Sequence, residues 1–486
     1  MLIDCRSDRS WLGMAVSFPL AWPAPLQSRP NVRVLPDSRQ RLLQLAPVPL
    51  VFLEAGARAR ACGRGHCQRR QEPVGSHIPK AALCGGGHAR DRGHHRERRQ
   101  GVLGHPRAGI WISPRRPDPH HLPRAVQTKA AIVTCGGLCP GLNSIIREVT
   151  NTLWTDYGIR DIVGLTGGYN GLSDPENNPP VELTKDSVSE IHMKGGSILK
   201  AGRGGLDLPK ICDNLKTMGI NILFVVGGDG TQYAGNMLYE ACRERDLPVS
   251  VIGVPKSIDN DVLVFDKTFG FESAVVSASE TVRNVWVEAT SCQKGVGIVK
   301  LMGRDAGFVA MHAALASTIA DVVLIPEVSF KMEDVLEHVE RTLDRKGYCV
   351  VIVAEGAGQE HVSTGEKDAT GHTVYGDIGT FLRDKVNEYF KDKGGRSFYI
   401  DPSYIIRSIP VRPIDHIYCS QLARGAAHVA MRGYTGVCVG ALNRIEVIIP
   451  STIIARGKRR IDTRSFEWQS CVTASGMPPS LAGFKD

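Results

Sequence analysis

Two short segments of this sequence carry residue types that could transfer a phosphoryl group. They are 227–231, Gly-Gly-Asp-Gly-Thr, and 255–261, Pro-Lys-Ser-Ile-Asp-Asn-Asp. Each follows an apolar, β-branched run typical of a buried strand, 222–226 and 249–254. A glycine-rich loop at a strand end lets backbone amides approach phosphate oxygens, and nearby carboxylates can bind Mg2+ or accept a proton from a hydroxyl. Phosphoryl transfer to a hydroxyl requires these groups together.

Three aspartates in these segments could supply the metal and acid–base chemistry. Asp229 lies between glycines that leave its carboxylate accessible to a cation, although Asp-Gly also occurs in ordinary turns. Asp259 and Asp261 are close enough for one to act as a base while the other orients it or reaches the metal. Taken alone, Asp-Asn-Asp would favour a simple turn. Its position directly after 255–258 favours the catalytic interpretation instead.

The composition is that of a globular protein with an unusual beginning. Of 486 residues, 42% are hydrophobic and 22% are charged, as in a soluble chain of about two to three domains. The formal net charge of +9 divides into +13 for residues 1–128 and −4 for the remainder, so the basic total is no sign of nucleic-acid binding by the globular part. Thirteen cysteines without framework spacing predict reduced thiols and an intracellular protein. No apolar stretch reaches the roughly 18–20 residues that cross a membrane.

Residues 1–128 differ in character from the rest. They are rich in Arg, Pro, Gly and His, show no helix or strand periodicity, and are predicted to be disordered. A non-functional extension introduced by the gene model is the favoured interpretation. An organelle transit peptide, a polyanion-binding segment and a metal site at Cys62, His66 and Cys67 are the alternatives.

From Lys129 onward, strand and helix patterns alternate. Strands are predicted at 129–134, 159–165, 222–226, 249–254, 295–301, 322–325 and 349–354, and helices at 142–154, 183–193, 213–218, 308–317 and 335–343. This alternation predicts parallel sheets that bind ligands beyond the carboxyl ends of their strands. We expect two doubly wound (Rossmann-like) α/β lobes, 129–262 and 263–450, with the active site in the cleft between them and a C-terminal tail at 451–486.

A series of ordered motifs between Lys129 and about residue 450 resembles the phosphofructokinase family, most closely its plant-type ATP-dependent branch. The motifs are 136–143 (Gly-Gly-Leu-Cys-Pro-Gly-Leu-Asn), 228–231 (Gly-Asp-Gly-Thr), 255–261, 302–304 (Met-Gly-Arg), 354–356 (Ala-Glu-Gly) and 401–407 (Asp-Pro-Ser-Tyr-Ile-Ile-Arg). A single motif is a weak signal, because Gly-Gly-Asp-Gly is shared with NAD and lipid kinases. The ordered set is specific.

The resemblance implies an ATP-dependent 6-phosphofructokinase of glycolysis, which would transfer the γ-phosphoryl group of ATP to the C1 hydroxyl of fructose 6-phosphate and form fructose 1,6-bisphosphate and ADP. It implies that 129–262 binds the nucleotide and 263–450 the sugar phosphate, with Asp259 as general base and Asp229 as the residue that binds the cofactor, Mg2+. The implied ATP-binding residues are Gly137, Arg203, Gly204, Gly228, Asp229, Gly230 and Thr231. The implied substrate-binding residues are Ser257, Ile258, Asp259, Met302, Gly303, Arg304, Glu355, Tyr404 and Arg407.

The family also implies an assembly and a location. A homo-oligomer, either a dimer or a tetramer, with allosteric effector sites between subunits is expected. We expect no nucleic-acid or membrane partner. The cytoplasm is the expected compartment, with a plastid as the alternative.

The choice of phosphoryl donor depends mainly on Gly230. Pyrophosphate-dependent relatives typically carry Asp at this position, where a side chain would crowd the α-phosphate region, so glycine favours ATP. The sequence also departs from its relatives at Ala201-Gly202, where Thr-Ser is usual, and this removes two hydroxyl donors beside Arg203. A pyrophosphate-dependent enzyme and a catalytically weak regulatory subunit of the same family therefore remain as alternatives.

Overall fold

The computed structural model describes residues 127–363, 365–366 and 374–483. The prediction that 1–128 is disordered falls outside the described residues, except at its last two positions. The strands are β1 (Lys129–Thr134), β2 (Asp161–Leu165), β3 (Val181–Glu182), β4 (Ile222–Gly227), β5 (Ser250–Pro255), β6 (Gly295–Leu301), β7 (Val322–Leu324), β8 (Tyr348–Ala354), β9 (Arg396–Ile400), β10 (Val437–Leu442) and β11 (Ile445–Pro450). The helices are α1 (Leu142–Asp156), α2 (Asn170–Ser173), α3 (Leu208–Thr217), α4 (Asp229–Glu244), α5 (Phe271–Thr290), α6 (Phe308–Ser317), α7 (Met332–Lys346), α8 (Gln359–Val362), α9 (Ile378–Tyr389), α10 (Ser403–Ser408), α11 (Pro413–Met431), α12 (Ser451–Ile454), α13 (Phe466–Ser475) and α14 (Pro479–Ala482).

The strands form two sheets, each the centre of one lobe. The seven-stranded lobe has the order β11-β10-β5-β4-β1-β2-β3, in which the five inner strands are parallel and both edge strands are antiparallel. The four-stranded lobe has the order β7-β8-β6-β9 and is parallel throughout. In the larger sheet the chain order reverses between β1 and β4, which is where a doubly wound sheet opens a ligand crevice.

Helices cover both faces of the seven-stranded sheet. In β1, Ala130 and Ile132 pack in one core with residues of α1 and α11, whereas Ala131 and Val133 pack in another with residues of α3 and α4. A strand that is buried on both faces must be apolar at every position, which explains the continuous apolar runs in the sequence. The predicted doubly wound α/β fold is confirmed.

The four-stranded lobe is built in the same way around a larger core. Residues of α5 and α6 and of α7 and α9 pack in one apolar cluster with β6, β7 and β8. None of the helices among the described residues is long and apolar enough to cross a membrane.

The lobes do not follow the predicted boundaries of 129–262 and 263–450. Strands β10 and β11 belong to the seven-stranded sheet, where Val437 pairs with Ile252 of β5. The chain therefore leaves the first lobe after β5 and returns to it before β10. Apolar strands of the two sheets look alike locally, so the alternating pattern does not reveal which sheet a late strand joins.

The predicted C-terminal tail crosses from one lobe to the other. After α12, residues 455–465, here called the crossing segment, lead to α13 and α14, which pack in the core of the four-stranded lobe. Trp468 is fully buried there and donates from Nε1 to the carbonyl oxygen of Ala482 at 2.9 Å. The amide of Val323 in β7 donates to Sδ of Met477 at 3.0 Å. The end of the described chain is thus part of the globular structure.

A helix was expected at 183–193, but only a 3-10 turn, Ile191–Met193, forms there. Hydroxyl side chains in this stretch bond to the nearby backbone: Ser187 Oγ accepts from the amide of Thr184 at 2.8 Å, and Ser189 Oγ donates to the carbonyl of Asp186 at 2.8 Å. Such local hydrogen bonds compete with the helical pattern.

Candidate active site

A cavity of about 630 Å³ opens at the carboxyl ends of strands from both lobes. Its walls come from the loops after β1, β4 and β5 on one side and after β6 and β8 on the other. Most of the predicted site residues line it: Gly137, Arg203, Gly204, Gly228, Asp229, Gly230, Thr231, Ser257, Ile258, Asp259, Met302, Arg304, Glu355 and Arg407. Asp229 and Asp259, the implied metal and base residues, follow the neighbouring strands β4 and β5 and face the same space.

One wall is the N-terminus of α4. The helix begins at Asp229 directly after Gly228, and residues 228–231 line the cavity, so the backbone amides that have no helical acceptors lie at this wall. Gln232 secures this strand-to-helix turn by donating from Nε2 to the carbonyls of Val225 at 3.2 Å and Gly227 at 2.9 Å. A helix N-terminus of this kind favours an anionic ligand such as phosphate.

Three glycines that line the cavity keep its space open. A Cβ added at Gly230, Gly137 or Gly204 would meet no atom of the described residues within 4 Å. Gly204 also has a φ of 79°, which side-chain-bearing residues rarely adopt. Any side chain at these positions would therefore project into open volume instead of a packed core.

The loop after β5 is held by its own polar groups. Asn260 has a left-handed φ of 58°, and its Oδ1 accepts from the amide of Thr268 at 2.9 Å. Thr268 donates from Oγ1 to the carbonyl of Ser257, and Ser257 donates from Oγ to Oδ1 of Asp261, both at 2.5 Å. These hydrogen bonds occupy polar groups of Ser257, Asn260 and Asp261, the neighbours of Asp259, and so fix the conformation of the loop that carries it.

Asp259 is a half-buried acid whose Oδ1 is buried and unused. No group in the described part of the chain makes a hydrogen bond to its Oδ1. Burial, followed by the charges of Asp261 and Glu355, raises the pKa of Asp259 to about 7, against the opposing effects of the Arg304 backbone amide and Lys256. A carboxyl group with a pKa near neutrality that faces a cavity is suited to accept a proton from a ligand.

The loops after β6 and β8 interlock to present Arg304 and Glu355. Gly303 has a φ of 132°, and a Cβ there would lie 2.6 Å from the carbonyl oxygen of Ala306. The amide of Gly356 donates to the carbonyl of Gly303 at 3.0 Å. Because Gly303 can take this conformation, Met302 and Arg304 on either side of it both line the cavity, although Gly303 itself does not.

Positive charge is concentrated around Glu355. Burial raises the pKa of Glu355, while the charges of Arg304, Lys300 and Arg407 act in the opposite direction. The guanidinium of Arg304 lies 4.7 Å from the centre of the Tyr375 ring, and Nε of Arg407 donates to the carbonyl of Ser403 at 3.3 Å. Two oriented guanidinium groups in one wall can bind a phosphate in a bidentate manner.

Tyr404 lies apart from this lining. Its side chain is 78% exposed, and its ring centre is 4.7 Å from the guanidinium carbon of Arg407. Ser403, which precedes it, lines the cavity instead.

Sequence reasoning missed several residues of the lining, above all Lys458 in the crossing segment. Its Nζ lies 2.6 Å from Asp305 Oδ2, 3.3 Å from Asp229 Oδ2 and 3.4 Å from Asp261 Oδ2. Tyr375 also lines the cavity. The only local signal for Lys458 is the basic run 458–460, Lys-Arg-Arg, which by itself would be interpreted as solvated charge.

Comparison with known sequences agrees with the arrangement of the cavity. A family model described as phosphofructokinase matches residues 129–430. The chain is 42% identical over 374 residues to ATP-dependent 6-phosphofructokinase 5, chloroplastic, of Arabidopsis thaliana, which covers 76% of this chain and 69% of that relative. It is 41% identical over 375 residues to the ATP-dependent 6-phosphofructokinase of Borreliella burgdorferi, which covers 74% of this chain and 83% of that relative.

Solved structures share the fold at lower sequence identity. A pyrophosphate-dependent phosphofructokinase from Marinobacter aquaeolei is similar with a TM-score of 0.61 at 20% identity, over 74% of this chain and 92% of that chain. Phosphofructokinase from Saccharomyces cerevisiae is similar with a TM-score of 0.57 at 23% identity, over 68% of this chain and 45% of that chain. With the family model matching most of both lobes and plant relatives above 40% identity, the chain belongs to the phosphofructokinase family, in its plant-type branch.

Proposed function

We propose that this protein is an ATP-dependent 6-phosphofructokinase, which transfers the γ-phosphoryl group of ATP to the C1 hydroxyl of fructose 6-phosphate. The observation that carries the proposal is the shared cavity, which is lined by Asp259 with its pKa of about 7, by the N-terminus of α4 and by Arg304 and Arg407. The relatives named as ATP-dependent 6-phosphofructokinases support the same activity.

The four-stranded lobe binds the sugar phosphate in this proposal. Arg304 and Arg407 bind the 6-phosphate through charge-assisted hydrogen bonds. Glu355 accepts a hydrogen bond from a sugar hydroxyl. These contacts bring the C1 hydroxyl to Asp259, and holding two reactants in this way removes much of the entropic part of the barrier.

Asp259 acts as the general base. The C1 oxygen attacks the γ-phosphorus and forms the new P–O bond, while the bond from the γ-phosphorus to the β–γ bridging oxygen breaks and its electron pair leaves with ADP. The proton of the C1 hydroxyl passes to Asp259, whose Oδ1 has no competing partner among the described residues. A base with a pKa near the working pH accepts this proton most effectively.

The nucleotide binds along the glycine wall. The amides at the start of α4, together with Gly137 and Gly204, bind the phosphate chain of ATP. Arg203 adds a permanent positive charge. Gly230 leaves open volume beside the helix N-terminus, which admits a nucleoside triphosphate and favours ATP over pyrophosphate.

The residues present fit a magnesium ion at Asp229. Its carboxylate and those of Asp261 and Asp305 already share one cation, the ammonium of Lys458, so the oxygen donors accept positive charge at this place. Within the described ranges no three His, Cys, Asp or Glu side chains are arranged to hold a metal by themselves. Mg2+ normally binds through one or two carboxylates and the substrate phosphates, so Asp229 suffices as protein ligand. The ion would neutralise the charge that develops on the transferred phosphoryl group.

A coupled assay of the purified full-length chain tests the proposal. Fructose 6-phosphate is supplied with Mg2+ and either ATP or pyrophosphate, and formation of fructose 1,6-bisphosphate is measured. Turnover with ATP that is at least tenfold more efficient than with pyrophosphate is expected, and Asp259→Asn serves as the inactive control. The opposite preference would establish the pyrophosphate-dependent alternative. Absence of turnover with both donors, together with activation of a related subunit, would establish the regulatory one.

We infer that the chain assembles into a homo-oligomer in the cytoplasm. Two of the plant relatives are named chloroplastic, which supports a plastid as the alternative. Light scattering of the purified protein measures the assembly. Imaging of full-length protein and of a chain lacking 1–128, each fused to a fluorescent protein, measures the compartment.

A further inference from the structure

Backbone contacts at Lys458 and at the residue after it hold Lys458 at the cavity. It forms an isolated antiparallel bridge with Val262, which follows the loop after β5, and the next residue, Arg459, donates its amide to the carbonyl of Asp261 at 2.8 Å. The guanidinium of Arg459 lies 4.5 Å from the ring centre of Phe308 in the other lobe and donates to the carbonyl of Asp266 at 2.6 Å. The crossing segment therefore fixes the backbone from which the Lys458 side chain extends.

The ammonium of Lys458 joins carboxylates from both lobes. Asp229 and Asp261 come from the seven-stranded lobe and Asp305 from the four-stranded lobe. The Lys458 side chain is only 31% exposed, and its ammonium is shared by these three carboxylates at one place in the cavity.

In the proposed function, this cation lies on the path of the transferred phosphoryl group. There Asp229 binds Mg2+ beside the nucleotide phosphates, and Asp261 belongs to the loop that carries the proposed base, Asp259. An ammonium between these carboxylates lies between donor and acceptor. Arg304 and Arg407 bind the far end of the acceptor, and Arg203 lies on the nucleotide wall. A lysine is suited to a group that moves, because its three donors turn freely around a compact charge, whereas guanidinium binds a fixed, planar arrangement of oxygens.

We propose that Lys458, from the crossing segment, binds the phosphoryl group that is transferred, and that its three carboxylate partners hold it in place while the cavity contains no nucleotide. This inference rests on the proposed function. As the C1 oxygen forms its bond to phosphorus and the bond to the bridging oxygen of ADP breaks, Lys458 follows the phosphoryl oxygens from donor to acceptor. Because the contact is made to the third phosphate, Lys458 distinguishes a nucleoside triphosphate from a diphosphate.

The test compares full-length Lys458→Met and Lys458→Arg with the wild type. Arg464→Gln is the matched control, since Arg464 lies on the same crossing segment with a 74% exposed side chain paired to Asp462. Calorimetry measures the affinity for Mg2+-ADP and for the Mg2+ complex of the non-hydrolysable ATP analogue with a β–γ imido bridge. A lost charge-assisted contact should weaken binding of the triphosphate analogue in Lys458→Met by roughly 10- to 100-fold, while binding of ADP changes less than about threefold. Arg464→Gln should match the wild type for both.

Kinetics supply the second readout. In Lys458→Met, kcat should fall by roughly 100-fold or more, with KM for fructose 6-phosphate within about threefold of the wild type, because the acceptor contacts are intact. Lys458→Arg should recover part of the triphosphate preference. Equal weakening of both nucleotides, or no weakening of either, would overturn the proposal. Thermal melting identifies a variant that fails to fold. If Lys458→Met does not fold, Lys458→Arg and Lys458→Gln are compared with the wild type by the ratio of their affinities for the triphosphate analogue and for ADP. A wild type that binds the analogue through Lys458 but does not turn over ATP would contradict the proposed function alone.

Discussion

Asp259 and Glu355 come from different sheets, yet the negative charge of Glu355 helps to raise the pKa of Asp259 to about 7. Asp259 lies in the loop after β5 of the seven-stranded lobe, and Glu355 directly follows β8 of the four-stranded lobe. The ionisation of the proposed base therefore depends on how the two lobes meet. This coupling leads to a pH dependence that can be measured.

The rate should decrease as the pH falls through about 7, because a protonated Asp259 cannot accept the proton of the acceptor hydroxyl. In Glu355→Gln one of the charges that raises the Asp259 pKa is removed, so the acid limb of the kcat/KM profile, which reports the ligand-free enzyme, should move to lower pH. Glu355 is also proposed to bind the sugar, so the pH of the acid limb is compared and not the absolute rate. An acid limb at the same pH in both proteins would contradict the coupling.

Asp259→Asn should lower kcat and raise stability at the same time. Loss of a general base typically costs about 10²- to 10⁴-fold in rate. The folded-state pKa of about 7 lies above the ordinary 3.8, so the folded chain holds this proton more tightly than the unfolded chain, and ionising the buried group at higher pH destabilises the fold. The melting temperature of Asp259→Asn should therefore exceed that of the wild type by several degrees at pH 8 and by much less at pH 5. A difference in melting temperature that does not change with pH would contradict the raised folded-state pKa of Asp259.

Gly230→Asp should change the donor preference. The new carboxylate would enter the open volume beside the N-terminus of α4 and repel the phosphates of ATP. The expected result is a loss of kcat/KM for ATP of roughly 100-fold or more, comparable with about 3 kcal/mol, with a smaller loss for pyrophosphate. Gly230→Ala is the matched control, since a methyl group meets no described atom within 4 Å and should cost much less. Equal losses for both donors would show that Gly230 does not select between them.

Gly303→Ala should damage the sugar side of the cavity. The φ of 132° is strained for alanine, and the added Cβ would lie 2.6 Å from the carbonyl oxygen of Ala306. A backbone shift at residue 303 that relieves this contact would displace the adjoining Met302 and Arg304, so KM for fructose 6-phosphate should rise several-fold more than KM for ATP. Strain of this kind typically costs about 1–3 kcal/mol, which thermal unfolding can detect. Unchanged kinetics and stability would mean that this backbone conformation is not required.

The amino-acid sequence was sufficient for the fold class and for the position of most site residues relative to the strands. Apolar runs followed by glycine-rich or acidic loops predicted that 228–231 and 255–261 follow neighbouring strands, and parallel strands present their carboxyl ends at one sheet edge. The motifs of Arg304 and Glu355 were recognised through the resemblance to the phosphofructokinase family. The type of each residue and its position after a strand depend only on residues that are adjacent in the sequence, so both can be predicted without the tertiary structure.

Local patterns failed in two places, for different reasons. The stretch 183–193 has helical spacing, but its hydroxyl side chains bond locally and leave only a short 3-10 turn. Strands β10 and β11 resemble those of the four-stranded lobe, and their place in the larger sheet follows from pairing with β5, almost two hundred residues earlier in the chain.

The sequence by itself determined which residues could perform phosphoryl transfer, whereas the tertiary structure decided which of them share an electrostatic environment. The near-neutral pKa of Asp259 arises because its burial is completed by the meeting of two lobes, and Lys458 reaches three carboxylates because the crossing segment returns across the cavity. Both effects vary with distances between residues that are remote in sequence, and such distances exist only after the chain has folded.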